Sequence, residues 1–244
     1  MTRQKARKLI LIISMLLFPV TIYYFSPAFI IMAGLEGVIN GSFIVFVLLL
    51  LTAIIFGRLF CSYLCPGGAI QECLFAVNNK TLKHSWKHKI KYVIWTAWIA
   101  GVIICYIFGA GIHDVDFLYQ TEYGISIASA GAYIIYYGII LLFVLPALIG
   151  GRRAFCHYFC WMAPFMIIGI KLRKLLHLPG IRIVAEYESC ISCKKCNQSC
   201  PMSIDVETLI KQGEIRDIEC IQCGACKDAC PQKILSYSFR KDRS

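Results

Sequence analysis

Charge is scarce in this sequence. Only 16% of its 244 residues are Asp, Glu, Lys or Arg, and 58% are hydrophobic; soluble domains carry about a quarter charged residues. That balance excludes an ordinary water-soluble globule, and it excludes a disordered chain, which needs the opposite composition. Acid is scarcer still, with 14 carboxylates against 25 Lys and Arg. Two stretches, 25–42 and 109–132, contain no Lys or Arg at all. There is no phosphate-cradling glycine loop, dinucleotide fingerprint or covalent haem motif, which disfavours nucleotide-driven transport and self-contained NADH oxidation. No histidine lies inside a long apolar run, so haem held between helices is not expected.

Four apolar runs are present, at about 9–25, 38–57, 92–110 and 132–149. Each approaches the ~20 residues that cross a bilayer as a helix. Arg3, Lys5, Arg7 and Lys8 precede the first run as they would in a secretion signal. No small-x-small cleavage site follows before Pro27, so that run is read as a retained span. All 25 basic residues lie at the amino end, within 58–91, or after 150, while the Lys- and Arg-free loops carry Glu36, Asp114, Asp116 and Glu122. By the positive-inside rule both termini are cytoplasmic. Residues 1–179 hold 15 Lys/Arg against 5 Asp/Glu, and residues 180–244 hold 10 against 9. The surplus is therefore membrane-proximal, where it sets topology and meets anionic lipid, and nucleic acid is not an expected partner. Two inner stretches, Lys80 to Lys91 and Lys171 to Lys174, are expected along the membrane surface, with His84 and His88 on a solvated face. Cys73 and Cys105 belong to no motif and are read as buried small hydrophobes.

Pro179-Gly180 punctuates the end of this part, dividing the chain into 1–179 and 180–244. The tail has too few apolar residues for a conventional core but holds eight of the 14 cysteines. They form two C-x2-C-x2-C-x3-C-P runs, Cys190, Cys193, Cys196 and Cys200 before Pro201, then Cys220, Cys223, Cys226 and Cys230 before Pro231. Three cysteines at this spacing wrap one face of an iron–sulfur cube, and the fourth, carried on a short helix stopped by proline, reaches the other cube. Cys190, Cys193, Cys196 and Cys230 are thus expected to hold one [4Fe-4S] cluster, and Cys220, Cys223, Cys226 and Cys200 the second. A disulfide scaffold is disfavoured on a reducing cytoplasmic side, and the spacing is not that of structural zinc. This tail resembles the two-cluster bacterial ferredoxins from about Glu186 to Ser238.

Four further cysteines form an internal repeat. Arg58-Leu-Phe60-Cys61-Ser-Tyr63-Leu-Cys65 follows the second apolar run, and Arg153-Ala-Phe155-Cys156-His157-Tyr158-Phe-Cys160 follows the fourth. Residues four apart share a helix face, so two such helices side by side present four thiols, Cys61, Cys65, Cys156 and Cys160. They are candidate ligands of an additional iron–sulfur or metal centre near the cytoplasmic membrane face, with Arg58, Arg152 and Arg153 offsetting its charge. Catalytic dithiols and plain packing residues are the alternative readings.

Four spans, two C-x3-C motifs and a double-cluster tail together resemble the NapH-type membrane ferredoxins, which include the quinol dehydrogenase component of periplasmic nitrate reductase systems. The NosR and CcoG types are similar. In this sequence Cys160 is followed by Trp161 where the first motif has Pro66, and a proline comes only at Pro164. The resemblance implies a mainly α membrane protein of a prokaryotic cell membrane, with four transmembrane helices followed by a small α+β ferredoxin-like domain. It implies electron relay between the clusters and the quinone pool or a partner reductase, with redox partner subunits. A metal-ion (Cu/Fe) reductase of the CcoG type and a non-catalytic redox sensor or assembly factor are the competing functions. Quinol oxidation releases protons, and His113, Asp114 and Asp116 in the outer loop form a candidate quinone and proton site.

Overall fold

The computed structural model describes residues 2–82, 85–109 and 111–241, and it is mostly helical. Prolines and glycines set where its helices stop. α1 (Arg3–Leu16) ends just before Pro19, whose nitrogen has no hydrogen to give the preceding turn. α2 (Phe18–Thr21) and a 3-10 turn (Ile22–Phe25) continue at an angle of 59°. Pro27 then opens α3 (Pro27–Leu35). β1 (Val38–Asn40) leads into α4 (Gly41–Phe56), whose first turn is capped where Asn40 accepts from the Phe43 N–H at 2.9 Å. Gly57, at φ +57°, ends α4. The short α5 (Leu59–Tyr63) and α6 (Pro66–Cys73) follow.

The second half repeats this plan. A 3-10 turn (Trp86–Lys89) runs into α7 (Ile90–Phe108), and β2 (Asp114–Asp116) pairs in parallel with β1, Val38 opposite Asp114. α8 (Ala130–Gly150) stops at Gly151, φ +114°, and α9 (Ala154–Tyr158) and α10 (Ala163–Leu175) take the places of α5 and α6. The halves then exchange their last helices: α10 packs along α4, and α6 packs between α1 and α8. Both contacts need glycine. A Cβ on Gly169 would sit 2.6 Å from the Leu50 carbonyl oxygen, and one on Gly67 would sit 2.6 Å from the Phe143 ring.

Four apolar helical segments thus occupy the expected places, but they differ in reach. Trp86–Phe108 and Ala130–Gly150 are long and apolar enough to cross a membrane, and the bent pair Arg3–Leu16 with Phe18–Phe25 makes a third if it is one span. α4 has 16 residues, about 24 Å at 1.5 Å per residue, short of a ~30 Å hydrocarbon layer. Large apolar side chains face outward on all of them, among them Leu9, Leu16, Leu51, Val93, Ile107, Ile134 and Ile149. Such an exposed belt suits lipid better than water.

Three expectations need correction. His88 and Lys91 do not lie on a solvated surface: His88 is 7% exposed and Lys91 fully buried, because the tail folds over the start of α7. His84 and Lys83 fall outside the described residues. Cys73 is exposed and Cys105 half-buried, so neither is a buried packing residue.

The tail begins with β3 (Pro179–Ala185), which pairs antiparallel with β4 (Leu235–Lys241), Ile183 opposite Tyr237. Between them lie α11 (Lys195–Ser199), α12 (Val206–Ile210) and α13 (Ala225–Ala229). Its buried apolar side chains include Ile183, Met202, Ile204, Val206, Ile210, Ile215, Ile221, Ile234 and Leu235, packed beside Cys196, Cys200, Cys223 and Cys226.

Candidate iron–sulfur sites

The two cysteine runs of the tail fold alike. Ser192, Lys194 and Ser203 adopt positive φ of 52°, 58° and 53°, and the residues one repeat later, Gln222, Gly224 and Lys233, adopt 55°, 65° and 54°. Left-handed residues between right-handed ones turn successive N–H groups inward, a backbone curl that favours an anionic guest. Each curl leads into a five-residue helix, α11 or α13, with the third cysteine of its run inside it.

Two cavities result. One, of about 350 Å³, is lined by Cys190, Cys193, Cys196 and Cys230, with Ile191, Ile210 and Ile234 among its walls. The other, of about 320 Å³, is lined by Cys220, Cys223, Cys226 and Cys200, with Ile183, Ile204 and Ile221. Each therefore takes three cysteines from one run and the fourth from the other. Burial pushes the Cys200 thiol up to about 11, and Cys220 and Cys226 further. Thiolates in such apolar walls need a cationic metal centre to stabilise them. Among the described residues no three Cys, His, Asp or Glu side chains converge on a single bare ion. The thiols instead line the walls of the two cavities, four to each.

The second cavity faces the helices. Gln4 Nε2 donates to the Cys223 carbonyl at 3.0 Å, and Arg3 Nη2 donates to the Gly224 carbonyl at 2.5 Å. Arg152 Nη1 donates to the carbonyls of Gln198 and Cys200 at 2.6 and 3.1 Å. In the first cavity, Cys193 is exposed.

Beneath the tail, the four cysteines of the helical repeat are all buried. They do not share continuous helices. In both motifs the helix closes with the second cysteine's N–H donating to the residue five back, Cys65 to Phe60 at 3.0 Å and Cys160 to Phe155 at 3.1 Å. The chain then restarts, at Pro66 in α6 and, two residues later, at Ala163-Pro164 in α10. That delay accommodates Trp161, whose indole N–H donates to the Phe25 carbonyl at 3.1 Å. The exchanged helices each deliver one side chain to the opposite motif. Gln71 Nε2 lies 3.2 Å from Cys156 Sγ, and Met166 Sδ lies 3.7 Å from Cys61 Sγ. The interval from Gln71 to Met166 equals that from Cys61 to Cys156, so the two contacts are symmetry mates. Burial and the neighbouring Cys61, Cys156 and Cys160 push the Cys65 thiol well above its ordinary range, and burial with Cys156 and Cys61 pushes Cys160 up to about 12. The four thiols are mutual neighbours.

Two buried arginines flank them, each held by a carboxylate that lies outside both cysteine motifs. Arg153 pairs with Glu72 at 2.6 Å, and Glu72 also takes Arg7 at 2.8 Å. Arg58 pairs with Glu219 at 2.9 Å, and Glu219 also takes Lys91. Burial would raise Glu219, but Arg58 and Lys91 outweigh it and hold the carboxyl down to about 2. Glu72 comes from the helical half, whereas Glu219 comes from the tail, one residue before Cys220. The signal in the sequence was scarcity, since Glu72 is the lone acid between Glu36 and Asp114.

The histidines divide. His88 and His157 are buried side by side, ring centroids 4.9 Å apart, at the tail contact. His113, Asp114 and Asp116 are exposed on the loop between α7 and α8. There, Asp116 accepts from the Leu118 N–H and Asp114 from the Val115 N–H, local turn bonds.

Comparison with known proteins follows the same division. Residues 41–84 and 132–179 both match a family model described as a 4Fe-4S binding domain, so one model picks out the two repeated halves in turn. Residues 182–231 match a 4Fe-4S dicluster domain. The uncharacterized protein MJ0750 of Methanocaldococcus jannaschii is 28% identical over 197 residues, covering 75% of this chain and 74% of that protein. A second protein of the same organism, MJ0749, is 24% identical over 187 residues, covering 72% and 64%. No solved structure matches. The duplicated helical match and the dicluster match support a 4Fe-4S ferredoxin-like protein.

Proposed function

We propose that the chain is a membrane-anchored iron–sulfur electron-transfer protein. Cys190, Cys193, Cys196 and Cys230 hold one [4Fe-4S] cluster, and Cys220, Cys223, Cys226 and Cys200 hold another. The observation that carries this reading is the pair of apolar cavities, each lined by three cysteines of one run and the fourth of the other. Such clusters supply one-electron carriers. The protein's part is to hold one at an exposed surface and the other against the helical body.

The buried thiols Cys61, Cys65, Cys156 and Cys160 continue that line inward as ligands of a further iron–sulfur centre. Their support is mutual proximity together with Arg58 and Arg153, whose charges offset an anionic centre that burial alone would penalise. The membrane-side partner is the quinone pool, and a protein subunit meets the exposed face around Cys193. The chain crosses the membrane four times, with both termini on the basic, cytoplasmic side. The bent first segment and the short α4 reach across by local thinning of the bilayer.

The test is reoxidation of the dithionite-reduced, detergent-solubilised protein. A water-soluble quinone analogue is expected to restore the visible absorbance at least about tenfold faster than Cu(II), a difference of ~1.4 kcal/mol in barrier. Reoxidation by Cu(II) with none by the quinone would replace this function with metal-ion reduction.

A further inference from the structure

Where the tail meets the helices there is a chamber partly open to solvent, separate from both cysteine-lined cavities. Its walls combine apolar side chains (Leu82, Met202, Ile204) with His88, His157 and Glu219. His157 is 2% exposed, and neither of its ring nitrogens has a hydrogen-bond partner among the described residues. Buried polar atoms in native proteins are almost always satisfied, so an unpartnered imidazole at a chamber wall calls for a guest. Met202 and Ile204 also line the cavity of Cys220, Cys223, Cys226 and Cys200, so the chamber and that cavity are separated by one layer of side chains.

The lining selects the guest. Asp205 and Asp217 in the wall disfavour anions such as phosphates and nucleotides, Glu219 being held by Arg58 and Lys91. No three ligating side chains converge among the described residues, which removes a tightly held metal ion. A neutral flat ring with carbonyl oxygens fits: its faces meet the apolar residues, and its oxygens accept from the His157 N–H and the Ser203 hydroxyl. The chamber lies by the 3-10 turn that leads into α7 and by α9, which follows α8, so a ring carried on a lipid-soluble tail can enter from the ends of these apolar helices.

We propose that this chamber binds the headgroup of a quinone, with His157 as its hydrogen-bonding anchor. The inference rests on the reading that the quinone pool is the membrane partner. It moves the site from the exposed outer loop of His113, Asp114 and Asp116 to the opposite ends of the helices.

The experiment uses the full-length, cluster-loaded protein in detergent with a short-chain azidoquinone. Affinity is read from tryptophan fluorescence, and the site is read by photolabelling and peptide mapping. Label is expected on the peptides containing His157 and residues 202–209. His157→Phe and, separately, Thr208→Trp, which fills the chamber from its exposed rim, are expected to weaken binding at least about tenfold, the scale of one lost hydrogen bond or a blocked site. Iron content should be unchanged in Thr208→Trp. Saturable binding with label in the 109–123 loop, or with affinity unchanged in both variants, overturns this site while leaving the quinone reading intact. Absence of saturable binding by the unaltered protein overturns the quinone reading and the site with it.

Discussion

At the scale of single residues, two carboxylates organise the buried charge of the molecule. Glu72 and Glu219 each pair with two cations, Arg7 with Arg153 and Arg58 with Lys91, and all six side chains are at most 8% exposed. Removing one partner from such a group strands the rest, at about 3–5 kcal/mol. Glu72→Gln is therefore expected to lower stability by that order, measured by denaturation in detergent, with Arg7→Met partly restoring it in the double variant. Equal stability of Glu72→Gln and the unaltered protein would show that the pairs are not coupled. Glu219→Gln strands Arg58 and Lys91 in the same way, but its carboxylate belongs to the tail. Its expected signature is faster amide exchange in β3 and β4 than Glu72→Gln produces. Identical exchange in the two variants would deny Glu219 its role as the latch between tail and helices.

At the scale of elements, the exchanged helices α6 and α10 close the two halves around the thiols. The glycines that permit this differ in what they face. A Cβ at Gly169 meets a backbone carbonyl, which cannot yield, whereas a Cβ at Gly67 meets the Phe143 ring, which can turn. Overpacking costs about 1–3 kcal/mol, so Gly169→Ala should fall near the upper end in thermal denaturation and Gly67→Ala near the lower. The reverse order would mean that α4 and α10 separate more readily than this packing implies. At this scale the sequence was legible in part. The matched Arg, Phe, Tyr and Cys positions announced the repeat and both thiol pairs. They also suggested continuous helices, and there local periodicity misled: Pro66 and Pro164 each start a new helix, so Cys65 and Cys160 sit at breaks. The exchange of α6 and α10, and with it the pairing of Gln71 and Met166 with the opposite motif, depends on long-range packing that no local pattern encodes.

At the scale of the whole molecule, an outward-facing apolar belt carries an asymmetric arrangement of basic residues and a cysteine-built tail. Reporter fusions give a direct reading of the topology. A phosphatase active only outside the cytoplasm should work when joined after Gln120 and not when joined after Lys80 or Lys241. Activity after Lys80 would reverse the orientation or change the number of crossings. In the tail the two cysteine runs fold alike, and each cavity is lined by three cysteines of one run and the fourth of the other. The latch at Glu219 and the burial of His88 and His157 were illegible, since they arise only when residues far apart in the chain are folded together.

The central claim is that the tail is built around two clusters. Its most direct test is iron and acid-labile sulfide per polypeptide after anaerobic purification, compared with Cys193→Ala and Cys223→Ala. The account predicts at least about eight of each in the unaltered protein, with about four lost in either variant. A preparation that is correctly folded yet contains no labile sulfide, or that loses nothing in either variant, would contradict it.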